Sequence, residues 1–451
     1  MNVNPAIFRE YDVRGIVDLD LTDEFAELLG KAFGTYQVRR ELTQLAVGRD
    51  VRASSTRFRD ALIRGLVSTG CEVVDVGVCP TPLLYFALFH YERNGGVMIT
   101  GSHNPPEFNG FKICSGKSTI HGGDIQELLA IAQSGDFATG EGSVRQAEII
   151  DPYIAWVKGN VRIQRPIKVV VDAGNGTAGL VAPRMLEVLG QDVIPLFCEP
   201  DATFPNHHPD PTLPENLEAL IDKVLETGAE LGIGYDGDGD RIGVVTGRGK
   251  ILWGDMLMVL FSREILRSRP GATIVAEVKC SQNLYDDIAA RGGNAIMWKA
   301  GHSPIKAKMR EVGAALGGEM SGHVFFADRF FGFDDALYAT LRVLEIVSRE
   351  ERSLDELLSD LPTLVATPEI RVDCPDDKKF EVVRRAVDHF KATHPVVDVD
   401  GARVLFEDGW ALVRASNTQP VLVLRFEAKT QERLDAIRGV VEDVLRSLTE
   451  A

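Results

Sequence analysis

No stretch of the 451-residue chain approaches the ~20 consecutive apolar residues that a spanning helix requires, and Met1-Asn2-Val3-Asn4-Pro5 lacks the basic-then-apolar order of an export signal. Cysteine is sparse. Cys71, Cys79, Cys114, Cys198, Cys280 and Cys374 are scattered with no Cys-x-x-Cys pair, in a chain too long to depend on disulfide staples. Positive charge is in deficit, with 49 Lys and Arg against 66 Asp and Glu and a formal charge of -17. Such a chain repels nucleic-acid phosphates and anionic headgroups at long range, so any phosphate it binds needs a local basic pocket. Low-complexity tracts and long charge blocks are missing, as is the Gly-x-Ser-x-Gly elbow of many serine hydrolases. These absences predict a soluble, unexported, cytoplasmic protein with neither a nucleic-acid nor a membrane partner.

What is present is ordinary globular composition, 45% hydrophobic and 25% charged, at a length that predicts several cores. Short β-branched runs alternate with helix-length amphipathic stretches, the pattern of βαβ units, and this predicts an α/β protein. One plan recurs three times. Leu45-Ala46-Val47, Glu72–Val76 and Gly96–Thr100 lead into Ser102. Ile167–Asp172 opens a second stretch that ends with Glu230–Gly234 entering Asp236-Gly237-Asp238-Gly239-Asp240-Arg241. Ala272–Ala276 opens a third that ends with Ala314-Ala315-Leu316 entering Gly317–His323. Each motif follows a strand's carboxyl end, where open α/β sheets place ligands. After Leu361-Pro362 the pattern changes to that of a small α+β domain. The expected division is 1–148, 149–250, 251–364 and 365–451: three similar mixed or parallel-sheet α/β domains and a C-terminal α+β domain around a central cleft.

In Thr100-Gly101-Ser102-His103-Asn104-Pro105 a hydroxyl sits between a glycine, which leaves room for a ligand, and a histidine. Alone such a serine usually reads as a helix or turn cap. Asn109-Gly110-Phe111-Lys112 adds a cation in a short loop nearby, and a serine hydroxyl needs a base or positive surroundings to act as a nucleophile. Asp236, Asp238 and Asp240 at alternate positions can turn three carboxylates toward one hard cation. An EF-hand is excluded, because its sixth position is Arg241 and its twelfth Gly247. Near the C-terminus, Arg414-Ala415-Ser416-Asn417-Thr418-Gln419-Pro420 interrupts two apolar strands with the guanidinium, hydroxyls and amide that suit a phosphate.

Two look-alikes compete. Gly110–Ser118 ends like a Walker loop, but its first glycine stands one residue too far upstream. Gly174-Asn175-Gly176-Thr177-Ala178-Gly179 spells a dinucleotide fingerprint, with Glu199 closing the next strand, and supports the rival reading of a nicotinamide-dependent oxidoreductase. A tight strand-to-helix turn produces the same spelling. His207 and His208, in a Pro-rich loop, read as solvated.

Together, Ser102, the aspartate loop, Gly318-Glu319-Met320-Ser321-Gly322-His323 and Arg414–Pro420 stand in the order seen in the α-D-phosphohexomutases, and Phe8-Arg9-Glu10-Tyr11-Asp12-Val13-Arg14-Gly15 is similar to that family's opening segment. The chain resembles the family over nearly its whole length, most closely its bacterial phosphomannomutase/phosphoglucomutase branch. The resemblance implies a mutase interconverting hexose 1- and 6-phosphates of mannose, glucose or both, through a phosphoserine at Ser102 and a hexose 1,6-bisphosphate. It implies Mg²⁺ held by Asp236, Asp238, Asp240 and a phosphoserine oxygen, with Arg241 adding positive charge. Sugar hydroxyls would fall to Glu319 and Ser321, and the substrate phosphate to Arg414, Ser416, Asn417 and Thr418. Tyr11 and Lys279 would line the substrate site, with His103, Arg14, Lys112, His302 and His323 sharing the catalytic work and His323 also touching substrate. The partners implied are small-molecule sugar phosphates, met by a monomer or weak oligomer.

Overall fold

Leu45-Ala46-Val47, Val97-Met98-Ile99, Val169-Val170-Val171 and Val275-Ala276 are almost wholly buried, as strands covered on both faces by crossover helices must be. The computed structural model describes residues 3–416 and 419–450. It divides into two units, residues 1–257 with 321–357 and residues 258–320 with 358–451.

The first unit carries a seven-stranded sheet of β1 (Val13–Ile16), β2 (Gln44–Arg49), β3 (Glu72–Val78), β4 (Gly95–Ile99), β5 (Phe108–Ser115), β6 (Ser118–Thr119) and β7 (Ser143–Gln146). Their order is β1-β5-β4-β2-β3-β7, with β6 paired to β5. A second sheet holds β8 (Lys168–Asp172), β9 (Asp192–Leu196), β10 (Leu231–Tyr235), β11 (Ile242–Thr246) and β12 (Ile251–Leu252), in the order β12-β11-β10-β8-β9. One kernel recurs in both sheets. The first strand lies parallel between the second and third, and the fourth returns antiparallel beside the third: β5-β4-β2-β3 and β11-β10-β8-β9. Ser102 and the aspartate loop occupy the same connection, third strand to fourth.

In the second unit β13 (Thr273–Glu277), β14 (Asn294–Trp298) and β15 (Leu316–Gly318) repeat the parallel part of the kernel, with β13 in the middle, and Glu319 follows the third strand. The chain then returns to the first unit with β16 (Val324–Phe326) and the helix Ala336–Arg349. The C-terminal part is the expected α+β fold. Here β17 (Val365–Ala366), β18 (Ile370–Asp373), β19 (Val396–Val397), β20 (Ala402–Phe406), β21 (Gly409–Ala415) and β22 (Val421–Ala428) form an antiparallel sheet. The helices Lys379–Lys391 and Gln431–Glu450 bury Val382, Ala386, Phe390, Ile437 and Val441 with Val413, Leu424 and Phe426 of the strands.

All six cysteines stand outside any disulfide, and all but Cys198 are buried. Burial pushes the Cys79 thiol up to about 12 and that of Cys198 to about 11. Among the described residues, no helix is long and apolar enough to cross a membrane.

Candidate active site

Ser102 stands three residues beyond β4 with φ at +49°, a left-handed conformation disfavoured for residues other than glycine. It is 2% exposed, and Thr100 Oγ1 accepts its backbone N–H at 2.8 Å. The hydroxyl donates to Asp236 Oδ2 at 2.9 Å and lies 3.1 Å from His103 Nδ1. Burial, then the charges of Arg241 and Arg14, hold His103 well below the ordinary histidine range, so the ring beside the hydroxyl is neutral.

The aspartate loop is a tight turn between β10 and β11. Asp236 Oδ1 accepts the N–H groups of Asp240 and Arg241 at 3.0 and 3.2 Å, and Asp238 Oδ2 accepts the Thr81 hydroxyl at 2.5 Å. Lys112 donates to Asp238 Oδ2 at 2.7 Å and also to Asp240. It sits on β5 rather than in the expected short loop, so a strand fixes its reach. One ligand oxygen from each of the three aspartates falls within 4.8 Å of the others, and Asp238 Oδ1 is buried with no hydrogen-bond partner. An all-oxygen set with an unsatisfied buried carboxylate oxygen fits a hard divalent cation. In the protein alone, burial and the repulsion of Asp240 and Asp238 raise Asp236 well above the usual carboxylate range. Against burial, Lys112 and His323 hold Asp240 well below it; against burial and Asp240, Lys112 lowers Asp238. Burial alone would depress Lys112, but Asp238, Asp240 and Asp236 override it and raise the ammonium further.

Arg14, on β1 and three residues after the half-buried Tyr11, donates to Asn104 Oδ1 at 3.1 Å and Asp12 Oδ2 at 2.6 Å, and so braces the serine loop. His323 Nε2 lies 3.3 Å from both Arg241 Nε and Asp240 Oδ1, and Ser321 Oγ is 3.4 Å from its Nδ1. A second cation-competent group, Asp240, His323 and Asp334, shares Asp240 with the first.

The glycine fingerprint has a different use from the one its spelling suggests. A Cβ on Gly176 would lie 2.6 Å from the Gly237 carbonyl oxygen, and one on Gly237 would lie 2.5 Å from that of Ser102. Thr177 donates its N–H and its hydroxyl to the same Gly237 oxygen at 3.1 and 3.3 Å. The glycines let the backbones at Gly176, Gly237 and Ser102 approach closely, so the fingerprint packs the aspartate loop against its neighbours. His207 is not solvated: its Nε2 lies 3.0 Å from the buried Asp172, which raises the imidazole against its partial burial.

The second unit holds the other expected residues. Glu319, 5% exposed, accepts the Gly301 N–H at 2.7 Å, just before the helix His302–Val312. His302 Nδ1 is 3.3 Å from the Ser303 hydroxyl. Lys279, two residues past β13, donates to Glu369 at 2.6 Å and lies 3.4 Å from Glu277. Burial disfavours its charge, but Glu277 and Glu369 outweigh this and raise it. Glu277, fully buried and pushed up to about 7 by that burial, accepts the Met320 N–H at 2.8 Å. Arg414, at the end of β21, donates from Nε to Asp400 Oδ2 at 3.0 Å, and the same oxygen accepts the Ala300 N–H at 3.0 Å. Ser416 Oγ accepts the Gln419 N–H at 3.2 Å, while Asn417 and Thr418 lie outside the described residues. Glu277, Glu369 and Asp400 escape a reading of the sequence, since isolated acids carry no local signal.

The first unit thus sets a buried hydroxyl against a cation-competent carboxylate loop, and the second holds charged groups on strand ends. The chain matches the family models described as "Phosphoglucomutase/phosphomannomutase, alpha/beta/alpha domain I" over residues 5–139, domain II over 151–249, domain III over 253–365 and the C-terminal domain over 369–444. It is 48% identical over 444 residues to a phosphomannomutase/phosphoglucomutase of Pseudomonas aeruginosa, covering 98% of this chain and 96% of that one. A phosphoglucomutase of Neisseria meningitidis is 44% identical over 451 residues, 99% and 98% of the two chains. A crystal structure of a phosphoglucomutase/phosphomannomutase family protein from Burkholderia thailandensis superposes with a TM-score of 0.93 at 42% identity, covering 99% of this chain and 98% of that one. With its motifs on the same connection of a repeated kernel and its similarity running from end to end, the chain belongs to the phosphoglucomutase/phosphomannomutase family.

Proposed function

We propose that the chain interconverts hexose 1-phosphate and hexose 6-phosphate, of mannose, glucose or both, as an intramolecular phosphotransferase that carries the phosphoryl group on Ser102. The observation that carries this reading is the buried Ser102 hydroxyl, hydrogen-bonded to Asp236 within a loop of three cation-competent carboxylates. The neighbouring carboxylates suit a hydroxyl that holds phosphate and a cation together.

In the forward half-reaction the free hydroxyl of the sugar phosphate attacks the phosphorus of phosphoserine 102. The bond from phosphorus to Ser102 Oγ breaks and that oxygen takes up a proton, while the proton of the attacking hydroxyl passes to a base. This acid and base work falls to His302, His323, Lys112 and Arg14, with the Lys112 ammonium suited to the acid side. The product is a hexose 1,6-bisphosphate, which turns over and returns its other phosphate to Ser102. Mg²⁺, held by Asp236, Asp238, Asp240 and a phosphoserine oxygen, would supply Lewis-acid neutralisation of the phosphoryl group. Lys112, Arg241 and Arg14 stabilise the charge spread over the equatorial oxygens, with the neutral His103 packed at the serine. Arg414, Ser416, Asn417 and Thr418 grip the phosphate that is not reacting, Glu319 and Ser321 grip sugar hydroxyls in either orientation, and Lys279 and Tyr11 complete the lining. The four segments 1–148, 149–250, 251–364 and 365–451 act as the domains of this machine, a cytoplasmic monomer or weak oligomer.

Incubation with mannose 1-phosphate or glucose 1-phosphate, Mg²⁺ and glucose 1,6-bisphosphate, with no nicotinamide cofactor present, should show conversion to the 6-phosphates by phosphorus NMR. Removing divalent metal with a chelator should lower the rate about 10³-fold, the scale of several kcal/mol of lost charge stabilisation. Inactivity on both sugars overturns the reading.

A further inference from the structure

We infer that Arg52 is a positioning residue for phosphoryl transfer: its buried guanidinium holds the loop that presents Ser102. The inference rests on the phosphoserine reading above. Arg52 is 2% exposed and lies in the turn after β2, far from Ser102 in sequence. Its Nη2 donates to the carbonyl oxygens of Ser102 at 2.9 Å and of Asn104, and its Nη1 to those of Pro105 at 2.6 Å and Phe108 at 3.0 Å. A cation needed only to neutralise Asp50 would turn its paired donors toward that carboxylate. Instead Nε alone faces it, at 3.2 Å, and both terminal nitrogens serve the 102–108 loop.

Asp50 completes the clamp. Its Oδ2 accepts the Gly101 N–H at 3.0 Å, while its Oδ1 accepts the Arg52 N–H at 2.9 Å and the Ser55 hydroxyl at 2.6 Å. The pair therefore takes the N–H on one side of Ser102 and the carbonyl of Ser102 itself. A serine at φ +49° persists only where its surroundings over-determine it, and a planar guanidinium with four carbonyl acceptors does so. Gly101 allows the approach, since a Cβ there would lie 2.4 Å from Arg52 Nε and 2.5 Å from its central carbon. By fixing the loop, Arg52 keeps Ser102 Oγ aimed at one place in both half-reactions while the sugar changes orientation.

The test uses the full chain with Arg52→Lys, which keeps the charge but cannot span four carbonyls, and Arg52→Met. Prolonged incubation with labelled glucose 1,6-bisphosphate counts the chains able to carry phosphate, and a single-turnover chase with glucose 1-phosphate then measures transfer from Ser102. The expected result for Arg52→Met is a labelled fraction near that of the unaltered chain, transfer about 100-fold slower, and KM for the hexose phosphate within about twofold, with Arg52→Lys in between. Transfer by Arg52→Met within about threefold of the unaltered rate overturns the proposal, as does a loss of turnover that merely tracks a smaller labelled fraction. Should both variants fail to fold, Gly101→Ala displaces the guanidinium while keeping the arginine: slowed transfer is expected, and an unaltered rate overturns the proposal. An unaltered chain that takes no label overturns the phosphoserine reading and this inference with it.

Discussion

In the first unit one buried lysine, Lys112, bonds two of three buried aspartates, Asp238 and Asp240, whereas in the second Lys279 lies between Glu369 and Glu277 and Arg414 has Asp400. The first arrangement is short of positive charge. Unit charges ~4 Å apart interact by about 4 kcal/mol at an effective dielectric near 20, and in the loop alone burial and the repulsion of Asp240 and Asp238 push Asp236 well up from the usual carboxylate range. That deficit suits a divalent cation. The second arrangement is nearer balance, with two cations facing three carboxylates of which burial pushes Glu277 up to about 7. In the proposed mechanism the first site does the chemistry and the second holds phosphate.

Breaking the first arrangement should have the largest effect. Ser102→Ala should lower turnover by about 10⁴-fold or more, the scale of losing a group that takes part covalently, with an unchanged circular dichroism spectrum; near-normal activity would sink the mechanism. Weakening the second should show itself differently. Arg414→Lys retains charge but loses the bidentate fork, so KM for hexose 1-phosphate should rise about 30-fold while kcat stays within about threefold. A fall in kcat with KM unchanged would erase the division of labour drawn above.

The smallest effect on turnover comes from a variant that isolates burial without any cation. Asp335 caps the helix Ala336–Arg349, accepting the Tyr338 N–H and the Tyr153 hydroxyl, each at 2.8 Å, yet burial pushes its carboxyl up to about 7. Its folded pKa lies above the unfolded value, so the native state binds the extra proton between about pH 4 and pH 7. The stability this confers is present at the acid end and lost as pH rises through that window. Asp335→Asn cannot ionise, so its stability relative to the unaltered chain should improve by about 4 kcal/mol from about pH 4 to pH 8, as read from urea unfolding. A difference that does not move with pH would show that Asp335 titrates normally.

What was legible in the sequence lies at strand ends. Gly96–Thr100 and Glu230–Gly234 are apolar runs that stop at clusters of glycine and polar residues, and chain order alone places Ser102 and Asp236–Asp240 on equivalent connections. The small C-terminal domain was legible for the same reason, a change in period after Leu361-Pro362. Arg52 was not, because its partners are carbonyl groups, which every residue has and no side chain announces. Asp400 joins Ala300 to Arg414 across about a hundred residues, a link that only folding creates. His207 was read as solvated because a proline-rich loop suggests exposure, but the buried Asp172 recruits it. The glycine fingerprint misled in an instructive way: close backbone approach needs glycine whether the neighbour is a pyrophosphate or, as at Gly176, another peptide.

The buried thiols give the experimenter a clean background. A maleimide or a spin label attacks thiolate, and five of the six cysteines are shielded while the thiol of the sixth, Cys198, stays protonated at neutral pH. A single cysteine introduced on an exposed helix face should therefore label far faster than any native one. The wild-type sequence can serve as its own cysteine-light background for fluorescence or pulsed-resonance work, with no native cysteine replaced.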